Sequence, residues 1–345
     1  MRFSMTFPVL ASALLSIATS KEVGYFDSSE CVDRSAFESC YEKADQYLAS
    51  CISNNCVGGS DSCSDACGGS VTCIQNKCPN LGVDCMKACD CAKTVEYIDC
   101  IATSCWNQAY SCEYQATIND LVGTCVNMDL DSIPFWPPPD DATTGCSCNM
   151  GKILYTQTID TKNLDNCYDK VTELNRAGDY DRAEAYGRQC LCCGQSSAMS
   201  TYWDVCPKTD PSTLGADIAQ VLLGHNDWDA CGPRLSNSDC VADYGFSNVT
   251  NFYSPGKFPV NGTETLSNTG SPITAPISGP TFTWTFKGNL HPITAVPMSN
   301  KADATKAQSS GSTSTPTGES GAGLVRPALT LMFTAISGVF VFAAI

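Results

Sequence analysis

The chain has 345 residues, 24 of them cysteine, with 36 acidic and 20 basic side chains and a formal charge of −16. That length allows two compact domains, and the negative balance excludes nucleic acid as a main partner because the surface repels phosphate. Only two histidines are present, which leaves little for imidazole-based catalysis.

Residues 1–20 open with Met1-Arg2, continue through the apolar run "FPVLASALLSI" and close on "ATS". This is the pattern of a cleaved secretory signal, with the mature chain starting at Lys21. All 24 cysteines lie beyond it, so an oxidising compartment and a disulfide framework are expected rather than metal clusters.

Residues 21–128 read as a cysteine-rich helical domain. In "FESCYEKADQYLASCISNNC" apolar or Cys residues fall at 37, 40, 41, 44, 47, 48, 51, 52 and 56, close to the 3.6-residue period of a helix with one buried face. "KTVEYIDCIATSC" and "ATINDLVGTCV" continue the pattern, and the Gly pairs at 58–59 and 68–69 together with Pro79 mark turns. A cysteine ruler repeats within this domain. Residues 51–67 and 73–89 share gaps of four, six and three residues, and 100–116 keeps the first two gaps but ends on Ala116.

Repetition of this kind marks a supersecondary unit, read here as a helical hairpin. Cys63 and Cys67 share a helix face, whereas Cys51 and Cys56, five apart, diverge by roughly 140° on an ideal α-helix. Nested bridges are therefore expected within each copy: Cys51–Cys67 around Cys56–Cys63, Cys73–Cys89 around Cys78–Cys85, and Cys105–Cys112 in the third. Such staples compensate for the small core of each unit.

Residues 129–145, with three consecutive prolines, read as a stiff linker; Phe135 and Trp136 beside them are expected to bury against a neighbouring domain. A second cysteine-rich domain follows at 146–246, helical again with a turn near Gly178. The segments 31–125 and 146–240 hold 15 and nine cysteines, both odd, so full oxidation within the chain requires a bridge between them, for which Cys100 is the natural candidate. Otherwise each side keeps a free thiol or bonds another chain.

No cysteine lies beyond 246. Residues 247–298 read as an extended glycosylated region with sequons at Asn248 and Asn261 and one strand, "TFTWTFK" at 281–287, whose aromatic stripe of Phe282, Trp284 and Phe286 is expected to pack on a domain. Residues 299–320 form a Ser/Thr-rich stalk. The apolar run 328–345 carries no charge and has no basic flank on its distal side, as in a glycosylphosphatidylinositol (GPI) signal rather than a membrane span. Ser320 is the expected attachment site, Ser310 the alternative, and 321–345 the discarded propeptide. Loss of Arg2 and Arg326 takes the 20 basic residues to 18 against an unchanged 36 acidic ones.

No phosphate-binding loop, nucleophile elbow or distinct pair of carboxylates stands out, and neither His225 nor His291 sits in a motif with a nucleophile. Three Cys-x-Cys pairs, at 89–91, 146–148 and 190–192, are better explained by bridges to separate partners than by soft metal.

Signal, cysteine-rich helical body, Ser/Thr stalk and anchor tail together resemble the architecture of fungal GPI-anchored cell-surface glycoproteins. The order Cys63, Cys67, Cys78, Asp84, Cys89, Cys91, Cys100, Cys105, Cys125 is also similar to the fungal eight-cysteine extracellular membrane domain, and that similarity implies Asp84 as a haem-iron ligand. Cys73, Cys85 and Cys112 fall outside the pattern. The expected fold is mainly α: disulfide-stapled helical hairpin repeats, a second Cys-rich helical lobe and an extended C-terminal tail. The expected function is non-enzymatic, a structural, adhesive or host-contact glycoprotein on the outer face of the plasma membrane or in the cell wall. It needs no cofactor, is held by its anchor and meets wall glycans or surface proteins. A haem- or metal-binding module is the alternative, and a secreted enzyme without a recognisable motif the second.

Overall fold

A computed structural model describes residues 22–57, 83–125, 128–140, 142, 145–217, 219–220, 228–270 and 273–298. The expected signal sequence, stalk and propeptide, with Ser310, Ser320, His225 and Cys63, Cys67, Cys73 and Cys78, lie outside them. Among the described residues no helix is long and apolar enough to cross a membrane. The chain is mainly helical and densely cross-linked.

The first lobe opens with a two-residue ribbon, β1 (Glu22–Val23) against β2 (Phe26–Asp27). Helix α1 (Arg34–Cys51) starts where the Asp33 carboxylate accepts the Ala36 N–H at 3.0 Å. That bond is the main reason the Asp33 pKa is lowered, and it satisfies one of the donors a helix start leaves open. Phe37, Tyr41 and Ala44 line the buried face of α1. It packs antiparallel on α2 (Val83–Ser104), which also contacts α3 (Cys112–Thr124). The core between them includes Phe26, Phe37, Ile98, Ile101, Tyr114 and Ile118.

Four bridges join α1 and its flanks to α2 as rungs: Cys31–Cys105, Cys40–Cys100, Cys51–Cys89 and Cys56–Cys85, with sequence separations falling from 74 through 60 and 38 to 29. Nesting is present, but between two long helices rather than within each 17-residue copy. This corrects all five expected pairs. Cys51 bonds Cys89 in place of Cys67, Cys56 bonds Cys85 in place of Cys63, and Cys73 and Cys78 lose their expected mates Cys89 and Cys85. Cys105 and Cys112 bond Cys31 and Cys146 in place of each other.

The physical reason is at residues 52–57. There α1 passes into a π turn, whose i→i+5 hydrogen bonds return residues five apart to nearly the same face. Cys51 and Cys56 can then both face α2, where Cys85 and Cys89 are spaced four apart. Cys91, two residues beyond Cys89, points to the other side of α2 and bonds Cys125 at the end of α3.

The Pro-rich segment is not an independent spacer. Trp136 is buried against Tyr155, with ring centroids 6.2 Å apart, and Phe135 packs on Tyr114 and Phe282. The two lobes are joined covalently as the odd counts require, but through Cys112–Cys146; Cys100 is bonded to Cys40.

The second lobe is a long hairpin of α4 (Met150–Arg176) and α5 (Tyr180–Val205). Its turn falls at Gly178, whose φ of +80° suits glycine and strains other residues. Cys167–Cys190 ties the two helices together. Cys192–Cys231 and Cys193–Cys240 draw in the short helix α6 (Cys231–Leu235) and the loop after it, and Cys148–Cys206 closes the base. All three Cys-x-Cys pairs thus send their sulfurs to separate partners.

Residues 247–270 and 273–298 form a strap laid back across both lobes. It meets α5 through the Asp204 carboxylate, which accepts the Thr250 N–H at 2.6 Å, and through the Ser196 hydroxyl, which donates to the Tyr253 carbonyl at 2.8 Å. Farther on, the Glu264 N–H donates to the Lys208 carbonyl and the Asp210 N–H to the Glu264 carbonyl, each at 2.9 Å. Asn268 then accepts the Cys112 N–H at 2.8 Å. The single strand expected at 281–287 is one half of a hairpin, β3 (Thr281–Phe286) with β4 (Asn289–Thr294), in which Trp284 lies opposite His291. As expected, the aromatic stripe packs inward: Trp284 and Phe286 are buried in the first-lobe core and Phe282 rests against it.

Gly262, central in the second sequon, is where the strap backbone crosses the other chain segment most closely. A Cβ there would sit 2.1 Å from the Lys208 carbonyl carbon and oxygen. Backbone must move to admit it, so Gly262→Ala is expected to destabilise the protein by about 2–3 kcal/mol. Urea unfolding reads this, and faster amide exchange at Asp210 and Glu264 reports the lifted strap. Unchanged stability with unchanged exchange would show that this crossing carries no constraint.

Candidate functional site

The α4–α5 interface buries an unusual number of polar side chains. Gln157 and Asp160 on α4 and Ser196, Ser197, Ser200 and Thr201 on α5 are all at most 3% exposed. Several are satisfied. Ser200 accepts the Tyr253 N–H at 3.0 Å, Thr201 donates to the Ser197 carbonyl at 2.9 Å, and the Gln157 amide donates to the Ala198 carbonyl at 3.4 Å. That orientation leaves Gln157 Oε1 unpartnered. Both Asp160 carboxyl oxygens, the Ser197 hydroxyl and the Tyr202 hydroxyl also lack a hydrogen bond of normal geometry.

An unpaired buried carboxylate is costly, and such groups shift their pKa to become neutral. Burial raises the Asp160 pKa to about 7, with the adjacent Ser197 hydroxyl opposing part of that rise. Burial likewise pushes the Tyr202 phenol up, with Gln157 opposing and Asp217 assisting. Chemically, this interface can take up or release a proton near neutrality.

A second polar cluster joins the strap to α2. Asp99 accepts from Trp284 Nε1 through one oxygen and meets His291 Nδ1 with the other, both at 2.7 Å. The His291 ring lies 4.8 Å from that of Trp284. Glu96, one turn before Asp99, is raised by desolvation and then by Asp99, while His291 lowers it. A histidine oriented by a carboxylate is two parts of a nucleophilic triad. Here both Asp99 oxygens bond the hairpin, so the contact fastens the strap to α2.

Near the start of α1, a groove of about 660 Å³ runs between Ser29, Asp33, Arg34 and Glu38 on one side and Val296 and Pro297 on the other. Arg34 is paired at 2.9 Å to Glu38, one turn on along α1. The groove brings the end of the strap beside the first residues of the body. Val296 is fixed there, its N–H donating to the Thr103 carbonyl at 2.8 Å and its carbonyl accepting from Trp106 Nε1 at 2.9 Å.

Comparison with family models, with characterised proteins and with solved structures returns no match.

Among the site residues expected from sequence, Asn248 and Asn261 are both exposed on the strap. Asp84 lies in the first turn of α2, immediately before a bridged Cys85. Asp160 and the Asp99–His291 contact escaped sequence reasoning. Asp160 had a signal, because Ile153, Leu154, Gln157 and Cys167 set the buried face of α4 and position 160 falls on it. Asp99 had none, since its partners are about 190 residues away.

Proposed function

We propose that the protein is a non-enzymatic extracellular glycoprotein with a structural, adhesive or host-contact role. In this reading it is tethered by a GPI anchor to the outer face of the plasma membrane or transferred from there to the cell wall. The observation that carries the reading is that every described cysteine is bonded, in ten bridges. Such density is rare where thiols are kept reduced. Support comes from the leader at 1–20, the uncharged apolar terminus at 328–345, the stalk before it and two exposed sequons.

The two polar clusters suit this role, since both lie where elements are pressed together. A rigid body that resists denaturation is what a surface component needs, and wall glycans or surface proteins are the partners it would meet. Phosphatidylinositol-specific phospholipase applied to intact cells is expected to release the chain, and an amidase for N-linked glycans to lower its mass. Retention on cells after both phospholipase treatment and enzymatic digestion of the wall glycans would overturn the anchored reading. A Soret band on adding haem, lost in Asp84→Ala, would move the assignment to a haem-binding module.

A further inference from the structure

At the far end of the ladder two bridges touch. Cys56 Sγ and Cys89 Sγ, which belong to different disulfides, lie 3.7 Å apart. Among the described residues this is the place where three cysteine sulfurs, those of Cys56, Cys85 and Cys89, gather within 4.8 Å of one another. The touching pair is buried, Cys56 at 6% and Cys89 at 2% exposed, whereas their mates Cys51 and Cys85 are half-buried and reach solvent. The π turn over Ile52–Val57 is what brings the two bridges side by side, and π turns are frequent at functional sites.

We propose that these two bridges form a thiol-relay site that captures an external monothiol and passes the exchange from one disulfide to the other. An external thiolate attacks Cys85 Sγ, on the more exposed half of its bridge. A bond forms between the incoming sulfur and Cys85, the Cys56–Cys85 bond breaks, and Cys56 leaves as a thiolate. That thiolate is already beside Cys89 Sγ and attacks it. The Cys56–Cys89 bond forms, the Cys51–Cys89 bond breaks, and Cys51 leaves as a thiolate that takes a proton from water.

Two disulfides and one thiol enter and two disulfides and one thiol remain, so no separate oxidant or reductant is consumed. Entry at Cys51 instead expels Cys89, which attacks Cys56 and releases Cys85. Both routes end with the buried Cys56–Cys89 bridge, an adduct on one surface cysteine and a free thiol on the other. The buried sulfurs thus transmit exchange between two surface positions.

Glutathione at neutral to mildly alkaline pH, followed by acid quenching, alkylation and peptide mapping of the intact protein, tests this. The expected product carries glutathione on Cys85 or Cys51, an alkylated thiol on the other of the two, and a Cys56–Cys89 bridge. Alkylation at Cys56 or Cys89, or first opening at any other bridge, would overturn the proposal. Cys85→Ser supplies an independent arm without added thiol, since it leaves Cys56 unpaired beside the intact neighbour. Mapping is expected to find Cys51 as the free thiol and Cys56 bonded to Cys89. A free Cys56 with Cys51–Cys89 retained would overturn the relay, and if the variant does not fold the glutathione experiment decides.

Discussion

Asp160→Asn is expected to stabilise the protein at pH 8 by about 4 kcal/mol and to leave it unchanged at pH 4. The native carboxyl has its pKa raised from 3.8 to about 7 by burial, while in the unfolded chain it returns to its ordinary value. Between about pH 4 and 7 the folded form therefore binds more protons than the unfolded one, and stability contributed by this residue falls as pH rises. Above pH 7 the penalty is complete, and at about 1.4 kcal/mol for each unit of displacement it reaches the quoted figure. An asparagine keeps the shape without the charge. Urea unfolding at pH 4, 6 and 8 should show a descending limb in the parent that is flattened in the variant. Parallel pH profiles for the two would mean that Asp160 is not the group responsible.

The second large effect concerns the disulfide ladder. Removing Cys31–Cys105 or Cys40–Cys100 alone, by paired alanine substitution, is expected to cost about 3 kcal/mol in chain entropy. Independent loops with the full separations of 74 and 60 would give more than 4 kcal/mol each by the same relation. The difference arises because each rung closes only the short loop left by its neighbour: eight residues lie between Cys31 and Cys40 and four between Cys100 and Cys105. Removing both rungs opens the larger loop down to Cys51–Cys89 and should cost about 1 kcal/mol more than the two single losses added together. Packing losses at each site cancel in that cycle, so thermal or urea unfolding of the four proteins isolates the coupling. Strict additivity would show that the rungs act separately.

Much of the architecture was legible in the chain itself. Apolar and Cys residues at helical spacing marked α1, α2 and α3, and two odd cysteine counts demanded a bridge between lobes. The pairing was not legible. Copies with equal spacing satisfy a local nest and a long antiparallel ladder equally well, and the choice turned on the winding of residues 52–57. An α-helix holds Cys51 and Cys56 apart, whereas the π turn aligns them, and nothing in "ISNNCV" announces it. The strap was hidden for a different reason. Its hold on the body depends largely on backbone donors and acceptors, such as those of Glu264 and Val296, and these leave no periodic mark on side-chain choice. Asp160 lay in plain view as an acid on an apolar face.

The strap also decides how the molecule yields when pulled from its C-terminus. Cys240 is the last cross-linked residue, so tension entering at Met298 meets hydrogen bonds and packed rings before it meets any covalent tie. The Val296 contacts and the β3–β4 hairpin would peel first, then the crossing at Gly262, then the anchorage at Asp204. Drawn straight, residues 240 to 298 span at most roughly 200 Å, while the body up to Cys240 stays cross-linked. Force applied there would be absorbed by the strap, with the cross-linked body left intact for its own belt to re-seat when the force relaxes.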